Sequence, residues 1–311
     1  MRLGIIGTGR IAERFVKTAL TEATDMTISC VYNPRRTSAE RFAAQNEISH
    51  YTDNLLELVE SVDAVYIASP HETHYGYAKE MLKNNKHVLC EKPLALSEGE
   101  ARELFELADV HSVVLMEAIK TAYCPGFIEL LKVAKSGIIG EIRDVEAAFT
   151  RLTPKDTREY QNTRYGGSLL EFGSYVLMPA IKLLGCNYKN VEFKSIPAST
   201  GVDDYTKVFL EYDKGMAMGK VGLGVKSEGQ LLISGTKGYI LAESPWWMTK
   251  KFEVRFEDPG KREVFTFPYE SSGLQYEVKE FEQRIMQESG EGVFASESIA
   301  LAGIFEKFLR K

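Results

Sequence analysis

Gly7-Thr8-Gly9-Arg10-Ile11-Ala12 is the first run in this 311-residue chain whose types and spacing could do chemistry. It fits G-x-G-x-x-A and follows an apolar run at residues 2–6 directly. The first glycine permits a tight turn, and the second lets backbone approach a pyrophosphate. Small Ala12 lets a helix pack close to the strand, and the helix N-terminus offers N–H groups to phosphates. Gly7, Thr8, Gly9, Arg10 and Ile11 are therefore expected to hold a dinucleotide. A plain Gly-rich turn in a flavodoxin-like sheet is the alternative. At the end of the next strand, NAD specialists usually carry an Asp or Glu for the ribose 2′-OH. Here the chain reads Val31-Tyr32-Asn33-Pro34-Arg35-Arg36, with no carboxylate and two guanidiniums. Arg35 and Arg36 can pair with a 2′-phosphate, so NADP is favoured over NAD, with Asn33 beside them. The bland reading makes both arginines solvated residues at a helix start.

Two other groups look chemical and are read as inert. His71-Glu72-Thr73-His74 resembles a zinc-protease helix, but that motif needs two residues between Glu and the second His. No metal is expected. Cys30, Cys90, Cys124 and Cys186 lie too far apart for a zinc or redox pair and are read as reduced and mostly buried.

The elements that must position these groups follow from periodicity. Strands are expected at 2–6, 27–32, 64–68, 87–90 and 112–116, with helices at 11–20, 38–45, 73–84 and 98–108 between them. The last helix opens with a capping box, Ser97-x-x-Glu100. This alternation predicts an α/β domain with a doubly wound parallel sheet of the Rossmann type over residues 1–120. After residue 120 come a helix (127–135), a strand (141–151) and a long helix (168–184). Strands with glycine turns follow at 206–212, 216–224, 230–234, 238–242, 252–256 and 263–267, then helices at 274–287 and 296–310. Residues 121–311 thus read as an α+β domain with an open, mainly antiparallel sheet, serving substrate binding and oligomerisation.

A net charge of −6 gives no attraction to nucleic acid or an anionic membrane. No apolar run approaches the ~20 residues that cross a bilayer, and no export segment is read at Arg2–Ile6, so a cytoplasmic protein is expected. With 44% hydrophobic and 26% charged residues, the composition is that of a globular chain.

Further along stands His87-Val88-Leu89-Cys90-Glu91-Lys92-Pro93-Leu94-Ala95. A strand ending in Glu-Lys-Pro after a G-x-G-x-x-A start resembles the glucose–fructose oxidoreductase / inositol dehydrogenase / rhizopine catabolism (Gfo/Idh/MocA) family. Ser69-Pro70-His71-Glu72-Thr73-His74 is similar to that family's Thr-Pro-Asn-x-x-His loop. Leu115-Met116-Glu117-Ala118 through Pro125 is similar to the entry to the second domain in its dimeric dihydrodiol and xylose dehydrogenase branch. Residues 166–175, Gly-Gly-Ser-Leu-Leu-Glu-Phe-Gly-Ser-Tyr, resemble the branch's Gly-Gly-Gly-x-x-x-Asp-x-Gly-x-Tyr. The resemblance spans about residues 1–185. It implies that Ser69, Pro70, His74, Glu91 and Lys92 border the cofactor, with Lys92 beside the nicotinamide. It also implies a turn that can select a cis Lys92–Pro93 bond, and it puts Tyr175 at the acid/base position. The chemistry agrees, because a phenol can take a carbinol proton when a nearby cation lowers its pKa.

The departures bear on substrate. Glu171 stands where the branch has Asp, and Lys120-Thr121-Ala122 where it has Trp-x-Arg. Lys92, Lys120, Glu171 and Tyr175 are the expected substrate contacts, with the active site in the cleft between domains. Lys120 is equally readable as a solvated lysine. Trp246-Trp247 is read as structural or as a subunit contact rather than a sugar-stacking platform. An uncovered sheet face carrying Phe209, Met216, Met218, Leu223, Leu231, Trp246 and Trp247 predicts a homodimer or a dimer of dimers. The expected activity is hydride transfer between a nicotinamide and a carbinol or carbonyl carbon of a sugar, polyol or diol. A cofactor-sensing regulator is the alternative of another class, since the family contains a non-catalytic co-regulator. A lyase or epimerase with a hydride shuttle is the third. The retained Glu91-Lys92-Pro93 and Tyr175 favour the enzyme.

Overall fold

The computed structural model describes residues 1–19, 24–287 and 294–311. They form two compact units, residues 1–120 with 270–302, and residues 121–269 with 303–311. The end of the expected first helix, Leu20, lies outside the described residues.

In the first unit the alternation runs β1 (Arg2–Ile6), α1 (Arg10–Thr18), β2 (Thr27–Tyr32), α2 (Arg36–Gln45), β3 (His50–Thr52), α3 (Leu55–Ser61), β4 (Ala64–Ile67), α4 (His74–Lys83), β5 (His87–Glu91), α5 (Glu98–Val110) and β6 (Leu115–Ala118). The six strands pair in the order β3-β2-β1-β4-β5-β6, all parallel. That is the Rossmann order, with its switch point at β1 and β4. Buried Ile5, Ile6, Val65, Ile67, Val88 and Leu89 make the sheet's core, as parallel strands covered on both faces require. Two elements absent from the periodicity reading, β3 and α3, complete the order. β3 has only three residues, and α3 is announced by its Asn54 cap, whose side chain accepts from Leu56 N at 3.0 Å.

The second unit contains α6 (Pro125–Lys135), β7 (Ile142–Thr150), α7 (Arg158–Gln161), α8 (Ser168–Leu184), β8 (Asn190–Pro197), β9 (Asp203–Glu211), β10 (Met216–Gly222), β11 (Leu231–Gly235), β12 (Gly238–Ala242), β13 (Lys251–Phe256) and β14 (Arg262–Thr266). Its eight strands run β14-β13-β12-β11-β7-β10-β9-β8, antiparallel except for β7 with β10. Helix α8 lies on one face. Gly219 leaves room there for Val176, where a Cβ would come within 2.8 Å.

Helices α9 (Leu274–Met286) and α10 (Ala295–Leu309) were expected with the second domain, and here the structure differs. Residues 270–302 pack with the first unit. Leu274, Val278 and Phe281 are buried, Asp25 N donates to Glu282 Oε1 at 2.8 Å, and Ser298 Oγ donates to Glu117 Oε2 at 2.6 Å. These are long-range contacts, which helical periodicity does not encode.

The expected oligomer face also needs correction. Leu223, Leu231 and Trp246 are fully buried within the chain, and Leu231 pairs with Ala147 on the α8 side of the sheet. The Trp246 ring lies tilted against Phe127, and its indole N–H donates to Ala148 O at 2.9 Å. Trp246→Ala is therefore expected to cost about 3–5 kcal/mol in denaturant unfolding. A loss under about 1 kcal/mol would show that this ring is not part of the core.

Candidate active site

The glycine turn is built as its sequence demands. Gly7 has φ +106°, donates its N–H to Tyr32 O at 2.9 Å, and leaves no space for a side chain, since a Cβ would lie 2.5 Å from Ala68 O. A Cβ at Gly9 would meet nothing within 4 Å, so the backbone there stays open to a ligand. Gly9 flanks the start of α1 without any side-chain cap, leaving the first N–H groups of the helix to an anion. Asn33 Nδ2 donates to Thr8 Oγ1 at 2.8 Å, and Asn33 Oδ1 accepts from Arg35 N at 2.9 Å. One amide thus ties the phosphate turn to the loop after β2. Arg35 is exposed at the start of α2, and Arg36 pairs with Asp53 at 3.0 Å while lying over the Tyr51 ring. Such an exposed, solvent-screened pair holds the guanidinium only weakly and leaves it available to another anion. These residues fit a dinucleotide, and a phosphorylated one in particular.

The ends of β4 and β5 are joined by buried polar groups. His74 is enclosed at 0% exposure, with Nδ1 2.7 Å from Pro93 O and Nε2 2.9 Å from Ser69 O. Both partners are acceptors, so a neutral ring satisfies one and the imidazolium both. His74 therefore braces the Ser69–Pro70 loop and the Lys92–Pro93 turn from behind and presents no surface to a ligand. The Lys92–Pro93 bond is cis, as expected. Tyr66 donates to Glu91 Oε1 at 2.6 Å, and Lys92 N donates to Glu91 Oε2 at 3.3 Å. Glu91 is thus an anchor for the turn that carries Lys92. The Lys120 ammonium donates to Ser272 O at 2.6 Å within the first unit.

Two buried carboxyl groups near this turn were not singled out by sequence. Glu117 accepts from Leu94 N at 3.0 Å and from Ser298, and burial pushes its carboxyl up to about 7 against the opposing pull of those donors and of Lys92. Its signal was a lone acid within the apolar run at residues 113–118. Glu277 on α9 is completely buried with neither carboxyl oxygen hydrogen-bonded. Burial first, then the charge of Glu91, push it well above the usual range, while Lys120 acts the other way.

In the second unit, Glu171 and Tyr175 stand one turn apart on α8, both half-buried. Phe149 of β7 stacks on Phe172 (4.6 Å) and on Trp247 (3.9 Å, 3° between planes), with its ring centre 5.1 Å from Tyr175. Trp247 therefore belongs to an aromatic wall beside Tyr175, whereas Trp246 is core. At the start of α8, Asp203 Oδ2 accepts from Ser168 Oγ (2.6 Å), Leu169 N (2.9 Å) and Thr206 Oγ1 (2.6 Å). Burial raises the Asp203 carboxyl and these donors lower it. Among the described residues no group of three or more His, Cys, Asp or Glu could hold a metal, and no helix is long and apolar enough to cross a membrane.

A dinucleotide turn on a Rossmann sheet, coupled to a lysine at a strand end, defines a nicotinamide-dependent oxidoreductase. Residues 1–119 match the oxidoreductase family with an NAD-binding Rossmann fold, and residues 127–241 match the GFO/IDH/MocA C-terminal domain. The chain belongs to the Gfo/Idh/MocA family. It is 32% identical to the scyllo-inositol 2-dehydrogenase (NADP(+)) of Bacillus subtilis, over 99% of this chain and 95% of that one. It is 29% identical to the trans-1,2-dihydrobenzene-1,2-diol dehydrogenase of Xenopus laevis, over 91% of this chain and 89% of that one. A 3-ketoreductase from Actinomadura kijaniata, solved with TDP-benzene and NADP, shares the fold with a TM-score of 0.81 at 24% identity, covering 98% of this chain and 96% of that one.

The buried Glu117 makes stability depend on pH. Its carboxyl rises from the ordinary 4.5 to about 7 on folding, so the folded chain binds the extra proton. That contribution is complete below about pH 4.5 and is lost as pH rises through about 7. Over that window the wild type should lose up to about 3 kcal/mol relative to Glu117→Gln, read by denaturant melts at both ends. Parallel pH curves for the two proteins would contradict it.

Proposed function

We propose that this chain is an NADP-preferring dehydrogenase or reductase of a polyol, sugar or diol, in which Tyr175 carries the proton and Lys92 favours its phenolate. The observation that carries the reading is the side-by-side presentation of Glu171 and Tyr175 on α8, next to a wall of stacked rings. The bound dinucleotide would exchange a hydride with the carbinol carbon. Tyr175 would accept the hydroxyl proton as the C–O double bond forms and return it in the reverse direction. Glu171 would accept hydrogen bonds from neighbouring substrate hydroxyls, and Phe149 and Trp247 would receive the apolar face of a ring. Gly7, Thr8, Gly9, Arg10 and Ile11 would hold the pyrophosphate, with Asn33, Arg35 and Arg36 around the adenosine ribose and its 2′-phosphate.

Scyllo-inositol and trans-1,2-dihydrobenzene-1,2-diol, the substrates named for the two relatives, are the first to assay with NADP. On the better substrate, Tyr175→Phe is expected to lower turnover by roughly 10²–10⁴-fold with nucleotide affinity intact. Retention of more than about a third of turnover, with chemistry limiting, would remove Tyr175 from the proton-transfer role. In fluorescence titrations NADPH should bind more tightly than NADH, and Arg35→Ala or Arg36→Ala should narrow the difference. Equal affinities in the wild type would count against the 2′-phosphate reading.

A second copy of this chain is the proposed partner. Met216 and Phe209 are exposed, and with Met218 they sit at sheet positions alternate to those facing α8. The expected state is a homodimer or a dimer of dimers, and light scattering at micromolar concentration giving a mass of 34.9 kDa would oppose it. Three buried free cysteines favour a reducing compartment such as the cytoplasm.

A further inference from the structure

The helix that carries Glu171 and Tyr175 begins without a cap of its own. Gly167, at its N-terminal flank, has no side chain, and Ser168 donates its hydroxyl outward instead of capping the first turn. The missing acceptor comes from the start of β9, 34 residues away in sequence, where Asp203 Oδ2 receives Leu169 N at 2.9 Å and the hydroxyls of Ser168 and Thr206 at 2.6 Å each. The fit is tight. Gly167 has φ +94°, and a Cβ there would fall 1.9 Å from Asp203 Oδ1, so only glycine lets this carboxylate reach the helix.

A second feature makes the anchor matter for Tyr175. Pro179 lies inside α8 and has no N–H, so the Tyr175 carbonyl loses the bond it would receive from the residue four positions on. The stretch from Ser168 to Tyr175 runs about 10 Å along the axis on the N-terminal side of that proline. At its N-terminal end it is held by the Asp203 carboxylate. The neighbouring Asp204 holds a different element, accepting from Tyr160 Oη at 2.5 Å and from Lys155 Nζ at 3.0 Å.

We infer that Asp203 is a positioning residue for the reaction, a long-range cap that fixes where α8 presents Tyr175 and Glu171. The inference rests on the proton-transfer reading of Tyr175, and the test separates the two. Asp203→Asn keeps the shape but removes the charge. Gly167→Ala displaces the same carboxylate from the other side. Both are expected to lower kcat by about 10–100-fold, with NADPH affinity within about twofold of wild type. Asp204→Asn, which destabilises the adjacent attachment, should keep kcat within about threefold. If Asp203 acts through Tyr175, Asp203→Asn should lower kcat by clearly less in the Tyr175→Phe background than in the wild type. Losses that multiply in the double variant would overturn the inference, as would an Asp203→Asn variant with the kcat of Asp204→Asn. If Tyr175→Phe by itself kept its turnover, the reading beneath would fail first and take this one with it.

Discussion

The close approach of backbone at Gly7 governs the nucleotide half of the molecule. Its N–H is bound to Tyr32 at the end of β2, and its α-carbon faces the Ala68 carbonyl beyond β4. The chain leaving β1 is thus pinned between its two neighbouring strands. Only from that point can α1 start with its free N–H groups outward, and only there can Thr8 meet the Asn33 amide. The loops that follow β4 and β5 are then drawn together by His74 and Glu91. What looks like a set of separate motifs in one dimension is a single cradle organised by where one residue lacks a side chain.

Much of this was legible because it is local. The G-x-G-x-x-A turn, the alternation that follows it and the helix at Ser168–Leu184 are written in short-range pattern, and each stands where the residues indicated. The failures come from short elements or from distance along the chain. β3 and α3 are too short for periodicity to reveal, and α9 gives no sign within its own sequence that it returns to the first unit. Trp246 and Trp247 illustrate the limit most directly. They are adjacent and identical, yet one is sealed in the core and hydrogen-bonded to Ala148, while the other stacks on Phe149. Lys120 carries the same lesson, since its partner is a carbonyl 152 residues away.

The buried acids were overlooked for a related reason. A glutamate in sequence is by default a surface residue, and only packing reveals Glu117 and Glu277 in the interior. Glu117 has found two donors. Glu277 has none, and a group in that condition survives by holding its proton. Around the turn bearing Lys92, the protein therefore accepts a stability cost in exchange for a crowded set of titratable side chains, a pattern more usual at functional sites than in ordinary cores.

The discontinuity of the nucleotide-binding unit has a consequence for how the chain is made. Its first 120 residues contain the whole parallel sheet, but Ser298 supplies a donor to Glu117, and Leu274, Val278 and Phe281 belong to the same unit. During synthesis the sheet emerges first and must wait, with apolar surface and a buried acid incompletely covered, until Leu274, Val278, Phe281 and Ser298 have followed it. Residues 121–269 of the second unit are translated within that interval. For this fold, vectorial folding cannot proceed one domain after the other: the nucleotide-binding unit is completed only after residues 121–269 have been made.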